Sequence, residues 1–569
     1  MTVDTSSFVH GFHFSGRVGE VSAASPEDLL PALRLLEERV GSGLHAAGFV
    51  CYEGATALNG DLTTCTAGAL PLLWFGLFEE RRAEPFPAAC EPYQTSDWEP
   101  SLSQEEYAGA VASIRDLIAA GDCYQVNLTM RERFSFSGSP RSYFSDLCHS
   151  QPTPYSCYLE TGSHRILSAS PELFFSLSGG VLTTRPMKGT APRGRWWEED
   201  ETEKLRLRGS PKELSENLMI VDLLRNDMGM VSRTGSVRVE SLFDVETHAT
   251  VHQMTSTITS RVSEGVGLPE LFQALFPCGS VTGAPKVRSM EIIAGLEGAP
   301  RGAYTGCLGY LSPGGEAQFS VAIRTVVLDT ASGCGELGIG SGITFDSNAR
   351  DEYAECLAKG RFARERGRAF HLIESLLHEE GYFLLERHLE RLARSAAYFG
   401  FPLEPGAARV VLEAYAAGRT GREKVRLLLF KDGGISCESA PVAEPVGEAT
   451  AAFATIVVDS ADPFLYHKTS WRGVYAEESA RRPDATEVIF VNERGEVTEG
   501  ANSNIVALLD GEFLTPPLDS GLLPGVFRGE LLALGSISER VLTRRDLGRA
   551  EQLYLINSVR KWRRVSLVT

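Results

Sequence analysis

The chain has 569 residues, 43% apolar and 23% charged, with a formal net charge of −19. That length exceeds one ordinary core and predicts two or more domains, and the acidity excludes a nucleic-acid backbone as the expected partner. The longest apolar run, around Ala69–Phe78, contains Pro71 and is too short for a membrane span; no signal peptide is visible, and eleven cysteines without a Cys-x-x-Cys pair predict reduced core thiols in a cytoplasmic protein.

In chain order, Pro26–Val40 has apolar residues at helical spacing with a Gly41 stop, which predicts a helix among short strands. Residues 81–100 have no period and predict a surface connection. Ser103 and Glu106 form a capping-box signature for a helix to about Ala120. A strand from Cys123 to Thr129 follows, and then a strand over Ser168–Phe175. Gly179–Thr184 predicts a turn and strand leading into Arg185-Pro186-Met187-Lys188-Gly189-Thr190. On this reading Glu172 ends one strand and Lys188 the next, a hairpin spacing able to bring carboxylate and amine together. Lys188 is then either a solvated charge or an amine nucleophile kept neutral in a closed site.

Ser215–Asp227 predicts a helix that Glu216 begins, as a carboxylate favoured by the helix dipole or as a metal ligand. Glu352, Glu355 and Lys359 share one face of a later helix. They form a surface pair, or a carboxylate set facing Glu216 across a cleft and suited by its oxygens to Mg²⁺. Phe276–Lys286 is a glycine-bearing loop before a helix from Val287 to about Leu296, a place for an anion but not a P-loop. Ala322–Thr325 reads as a strand carrying Arg324, and Gly338–Ile343 as a second flexible backbone segment.

Residues 185–190, 215–229, 276–293 and 352–359 together resemble the chorismate-utilising enzymes: anthranilate, aminodeoxychorismate, isochorismate and salicylate synthases. The resemblance spans roughly 100–362, with a weaker N-terminal part. It implies an α+β fold of antiparallel sheets flanked by helices, with 1–100 as the N-terminal part and 101–362 as the catalytic domain. Anthranilate synthases carry alanine where this chain has Lys188, whereas aminodeoxychorismate synthases carry lysine, which implies amination of chorismate at C4. In that family the lysine attacks C2, the C4 hydroxyl leaves, and ammonia displaces the lysine by attacking C4. Glu172 matches the acid/base glutamate. By the same resemblance Glu216 and Glu355, with Glu352 beside them, would hold Mg²⁺. Tyr304, Arg324 and the backbone at Thr282, Gly283, Gly340, Ser341 and Gly342 would hold the substrate's carboxylates. Gln253 stands where this branch often has histidine, which leaves the role of His252 open. No stretch resembles a glutaminase, so ammonia is expected from a separate glutamine amidotransferase subunit.

The basic stretch Lys359–Ala369 predicts the junction to a second domain over 371–569. Phe370–Leu377 and Gly381–Leu385 read as paired strands, Leu389–Tyr398 as a helix, and 487–500 as strand, turn and strand. A strand-end lysine in 467–470, a glutamate of the 487–500 hairpin and the loop Thr515–Arg528 opening a helix together describe pyridoxal phosphate (PLP) chemistry. The set resembles fold-type IV PLP enzymes, with Lys468 matching the Schiff-base lysine, Glu499 the partner of the pyridine nitrogen, and Arg391 and the amides of Val526 and Phe527 the phosphate site. The tail Tyr554–Trp562 resembles fused aminodeoxychorismate lyase domains. Both resemblances imply a bifunctional enzyme taking chorismate to 4-aminobenzoate for folate, and the second one allows a homodimer through the PLP domain. The alternative is an anthranilate-type synthase fused to a branched-chain or D-amino acid aminotransferase-like domain.

Overall fold

The computed structural model describes residues 6–87, 89–365, 370–442 and 449–568. The chain divides into two compact units, Met1–Pro192 with Lys204–Gly367 and Arg193–Glu203 with Arg368–Thr569. Helices and strands alternate throughout, so the class is α+β as expected. Of the predicted junction, Lys359–Arg364 ends a helix, and residues 366–369 lie outside the described ones.

Among the described residues of the first unit, nineteen strands are joined through antiparallel pairings. The helix Pro26–Gly41 starts after Ser25 with proline at its first position and buries Leu29, Leu33, Leu36 and Val40. Gln104–Ala119 forms with the reciprocal Ser103–Glu106 capping box and buries Tyr107, Val111 and Ile114. The strand foreseen at 123–129 runs instead from Gln125 to Gly138 and pairs along its length with Cys334–Ile343. Gly338–Ile343 is therefore a strand, not a flexible segment. Its glycines leave room for neighbours: a Cβ on Gly338 would overlap the Tyr304 ring. Residues 81–100 also hold more than a connection, since Tyr93–Thr95 and Glu99–Pro100 add to the Gln125–Gly138 strand.

Three further expectations change. Glu172 lies in the gap between the strands His164–Ser170 and Leu173–Ser178 rather than at a strand's end. Glu216 does not begin its helix, which runs from Pro211 to Gly229 after the Ser210 cap, so the dipole at the first turn is not what favours it. Arg324 lies between the strands Glu316–Val321 and Thr325–Asp329 with φ +52, because Ala322 and Arg324 carbonyls turn to Thr305 N and Ala169 N.

The second unit has a three-stranded antiparallel sheet of Leu372–His378, Glu423–Leu429 and Ile435–Pro441. The partner of the first strand is thus Glu423–Leu429, not 381–385. That stretch makes one bridge, His378 to Tyr382, and leads into the helix Leu385–Phe399. An eight-stranded mixed sheet forms the rest, with Glu487–Asn492 and Val497–Gly500 antiparallel as predicted. Among the described residues no helix is long and apolar enough to cross a membrane. All eleven cysteines are free, but Cys90 and Cys334 are exposed, so not every thiol is a core thiol.

Candidate active sites

Lys188 is the second residue of the strand Met187–Pro192, which pairs irregularly with Val251–Arg261: Met187 faces Thr255, yet Thr190 faces Gln253. One extra residue is accommodated there, a bulge that re-aims side chains. The carbonyls it frees are taken by side chains. Asn217 Nδ2 donates to Lys188 O (3.0 Å) and Gln253 Nε2 to Gly189 O (3.1 Å). Gly189 has φ +94, and a Cβ there would stand 3.1 Å from Met254 and 3.3 Å from Glu213, so the bulge requires glycine. Gln253 thus closes the bulge by hydrogen bonds, while His252 is fully buried with its Nδ1 3.2 Å from Thr247 Oγ1.

The bulge turns Lys188 toward a cavity of about 190 Å³. Glu172, Glu213, Glu216, Glu352, Glu355 and Lys359 line it as well. Burial lowers the pKa of Lys188, and Lys359 nearby adds to that; Glu216, Glu172 and Glu355 oppose it. Glu172 is buried and pushed up to about 7, by burial first, although Ser280 and Lys188 favour its carboxylate form. Its Oε1 accepts from Met187 N at 3.4 Å. Burial also raises Glu216 and Glu213. Glu355 is held low by Lys359, its partner at 2.6 Å. Glu172, Glu213 and Glu216, in which burial favours the protonated form, thus share one cavity with an amine in which burial disfavours it.

Tyr304, Arg324, Gly340 and Gly342 also line the cavity. Arg324 is lowered to about 10 by burial, and its Nη1 donates to Lys359 O. Thr282, Gly283 and Ser341 are not among the lining residues. Thr282 Oγ1 donates back to the carbonyls of Cys278 and Gly279, Ser341 Oγ meets Tyr107 OH at 2.9 Å, and Gly283 packs against Gln125 O. Glu213 was missed in the sequence, although its i−3 spacing from Glu216 puts both on one helix face. Gln125 does not line the cavity but packs beside Gly342; it is 1% exposed, and among the described residues neither of its amide atoms has a hydrogen-bond partner. No sequence signal marks an amide whose role depends on a strand two hundred residues away. As to metal, Glu216, Glu352 and Glu355 are the oxygen donors Mg²⁺ takes. Among the described residues, however, no three His, Cys, Asp or Glu side chains are gathered as a metal site.

In the second unit Lys468 follows the short turn Pro463–Leu465, its carbonyl accepting from Ile373 N at 2.8 Å. Burial brings its amine to about 7, helped by Arg391 and Arg472. Glu499 is 6% exposed and pushed up to about 7 by burial. It nevertheless accepts from Tyr475 OH (3.1 Å), Leu523 N (3.2 Å) and Asn504 Nδ2 (3.3 Å). Arg391 forks onto Glu374 at 2.7 and 2.9 Å and donates to Pro524 O at 3.1 Å. Against burial, Arg391 and His388 hold Glu374 down at about 2. Val526 and Phe527 open the helix Val526–Ala533, one residue past Gly525. Their amides belong to the first turn, which has no partner within the helix. An amine near 7, a buried acid with three donors and an arginine beside a free helix start fit PLP.

Residues 13–365 match the chorismate binding enzyme family, and residues 372–568 the class IV amino-transferase family. Aminodeoxychorismate synthase component 1 of Klebsiella aerogenes is 42% identical over 277 residues, covering 49% of this chain and 61% of that protein. Anthranilate synthase component 1 of Methanothermobacter thermautotrophicus is 39% identical over 258 residues, covering 45% of this chain and 55% of that one. The crystal structure of anthranilate synthase component I from Streptococcus pneumoniae matches with a TM-score of 0.55 at 27% identity, covering 64% of this chain and 93% of that one. The chain spans less than two thirds of the length of these curated relatives. Their identities are too close to separate the two reactions by similarity.

Proposed function

Because the chain belongs to the chorismate binding enzyme family and carries a class IV amino-transferase unit after it, we propose that it makes 4-aminobenzoate, a folate precursor, from chorismate in two steps. The proposed division is 1–100 and 101–362 for the first step and 371–569 for the second. One observation carries the reading: Lys188, whose pKa burial lowers, shares a cavity with Glu172, an acid near 7.

In the first step the neutral Lys188 amine attacks C2 of chorismate, the ring double bonds shift, and the C4 hydroxyl leaves. Glu172, still partly protonated at neutral pH, gives that oxygen its proton, so water departs. Ammonia then attacks C4, the C2–N bond breaks and Lys188 leaves with its electron pair, and the new C4 ammonium returns a proton to the Glu172 carboxylate, which restores both groups. Arg324 and Tyr304 would hold a carboxylate of the dianion at the far wall. Glu216, Glu355 and Glu352, not gathered as a metal site in this structure, are the oxygen donors that would draw together on Mg²⁺, whose charge would then meet the other carboxylate. Ammonia would come from a separate glutamine amidotransferase subunit.

In the second unit PLP, when bound, would supply an electron sink next to the substrate's amine. Arg391 and the amides of Val526 and Phe527 would hold its phosphate, and Glu499 its ring nitrogen. Lys468, whose amine burial brings down to about 7, would take the proton from C4. The C3–O bond then breaks with its electrons going to the enolpyruvyl oxygen, the released enolpyruvate takes up a proton to become pyruvate, and the ring becomes aromatic. A cytoplasmic location and a homodimer through this unit belong to the same proposal. The test is product identity with chorismate and an ammonium salt. 4-Aminobenzoate and pyruvate in equal amounts support the proposal, whereas anthranilate favours the C2 alternative.

A further inference from the structure

The strand Gln125–Gly138 passes the first cavity with one edge short of a neighbour, since its pairing with Gly283–Ala284 ends at Val126. Asn127 N still donates to Thr282 O and Ser101 N to Arg131 O, and between these two points side chains close the edge. Arg301 Nη2 donates to Asn127 O (2.7 Å), and Thr129 N donates to Glu297 Oε1 (2.9 Å). Arg301 and Glu297 also bind each other, through Nε to Oε2 at 2.9 Å and Nη2 to Oε1 at 2.7 Å. Arg301 Nη1 reaches Val281 O at 2.8 Å and Thr305 Oγ1 at 3.4 Å, next to Tyr304. All five guanidinium N–H groups are thereby used. The residue is 3% exposed, Glu297 is 8% exposed, and Glu53 Oε1 accepts from Arg301 N at 2.6 Å.

Asn127, Val281 and Tyr304 come from three different segments, and all three line the cavity. A buried ion pair is a weak source of stability, because desolvation cancels most of the attraction. What this pair supplies instead is direction: one planar fork holding the Asn127 and Val281 carbonyls and the Thr305 hydroxyl at once. We propose that Arg301, clamped by Glu297, is a positioning residue that sets the substrate-binding wall of the chorismate cavity. This rests on the chorismate reading of the site, and the pair touches no reacting atom.

The test is steady-state kinetics of Arg301→Lys and Glu297→Gln with chorismate and ammonium varied separately, beside thermal unfolding. Lysine keeps the charge and the partner but loses the fork; glutamine keeps the shape but breaks the double contact. Either variant should raise KM for chorismate about tenfold, as loss of one or two directed hydrogen bonds implies. KM for ammonium and the lyase rate should stay unchanged. Should one variant fail to fold, the other carries the test. Wild-type KM for chorismate in a folded variant overturns the positioning role alone. Failure of the wild-type chain to aminate chorismate in the same assay overturns the reading beneath it.

Discussion

A Cβ placed on Gly342 would stand 3.0 Å from the amine of Lys188, and closer still to the Gln125 amide. The nucleophile's reach is thus set by the absence of a side chain on the facing strand Cys334–Ile343. Gly342→Ala should displace Lys188 or Gln125 and lower amination about a hundredfold, the usual cost of misplacing a reacting group by 1 Å. The melting temperature and the lyase rate should change little. An unaltered amination rate would show that the contact has no part in the reaction.

The pH profile of amination follows from Lys188 and Glu172. Lys188 must lose its proton, so its titration makes the rate rise with pH, and burial moves that rise below the ordinary lysine range. Glu172 must keep its proton, so the rate falls as pH rises through about 7. Glu172→Gln should cut kcat by about 10²–10⁴ and remove the alkaline limb. A limb near 7 that survives in this variant would assign it to another group.

Lys468 gives a stability prediction as well as a catalytic one. Its pKa is about 7 in the folded chain against an ordinary 10.5. Between those values the unfolded chain binds one more proton than the folded one, so this group makes stability rise with pH over that window. Lys468→Met should therefore raise the melting temperature of cofactor-free protein at pH 7, and flatten that rise. With chorismate and ammonium it should stop at 4-amino-4-deoxychorismate without pyruvate. Borohydride should leave a pyridoxyl group on the wild-type peptide holding Lys468 and on none of the variant's.

The two steps should separate by their requirements. Chelation of Mg²⁺ should stop chorismate amination and spare pyruvate release from supplied 4-amino-4-deoxychorismate. Ammonium salts should support the purified chain, and glutamine should do so only with an added amidotransferase subunit. Glutamine turnover by the chain itself would contradict the partner proposal.

Short-range rules read much of the chain: the Ser103–Glu106 cap, the helix Pro26–Gly41 and the common face of Glu352, Glu355 and Lys359 are all visible within one or two turns. Lys188 was legible by type and context, but the bulge that aims it was not. That bulge depends on Asn217 and Gln253, which lie far along the chain and look ordinary there. Gly338–Ile343 misled for the same reason. Alternating glycines suggest a loose segment, whereas here they make room for Tyr304, Gln125 and Lys188 across a regular strand. The roles expected of Thr282 and Ser341 rest on their backbone groups, since their hydroxyls bond Cys278, Gly279 and Tyr107.

The central claim is that Lys188 directs ammonia to C4. Chorismate and ammonium, given to wild type and Lys188→Ala and followed by product analysis, test it most directly. The account predicts 4-aminobenzoate from the wild type and loss of all C4-aminated product in the variant. Anthranilate from the wild type, or undiminished C4 amination by the variant, would contradict it.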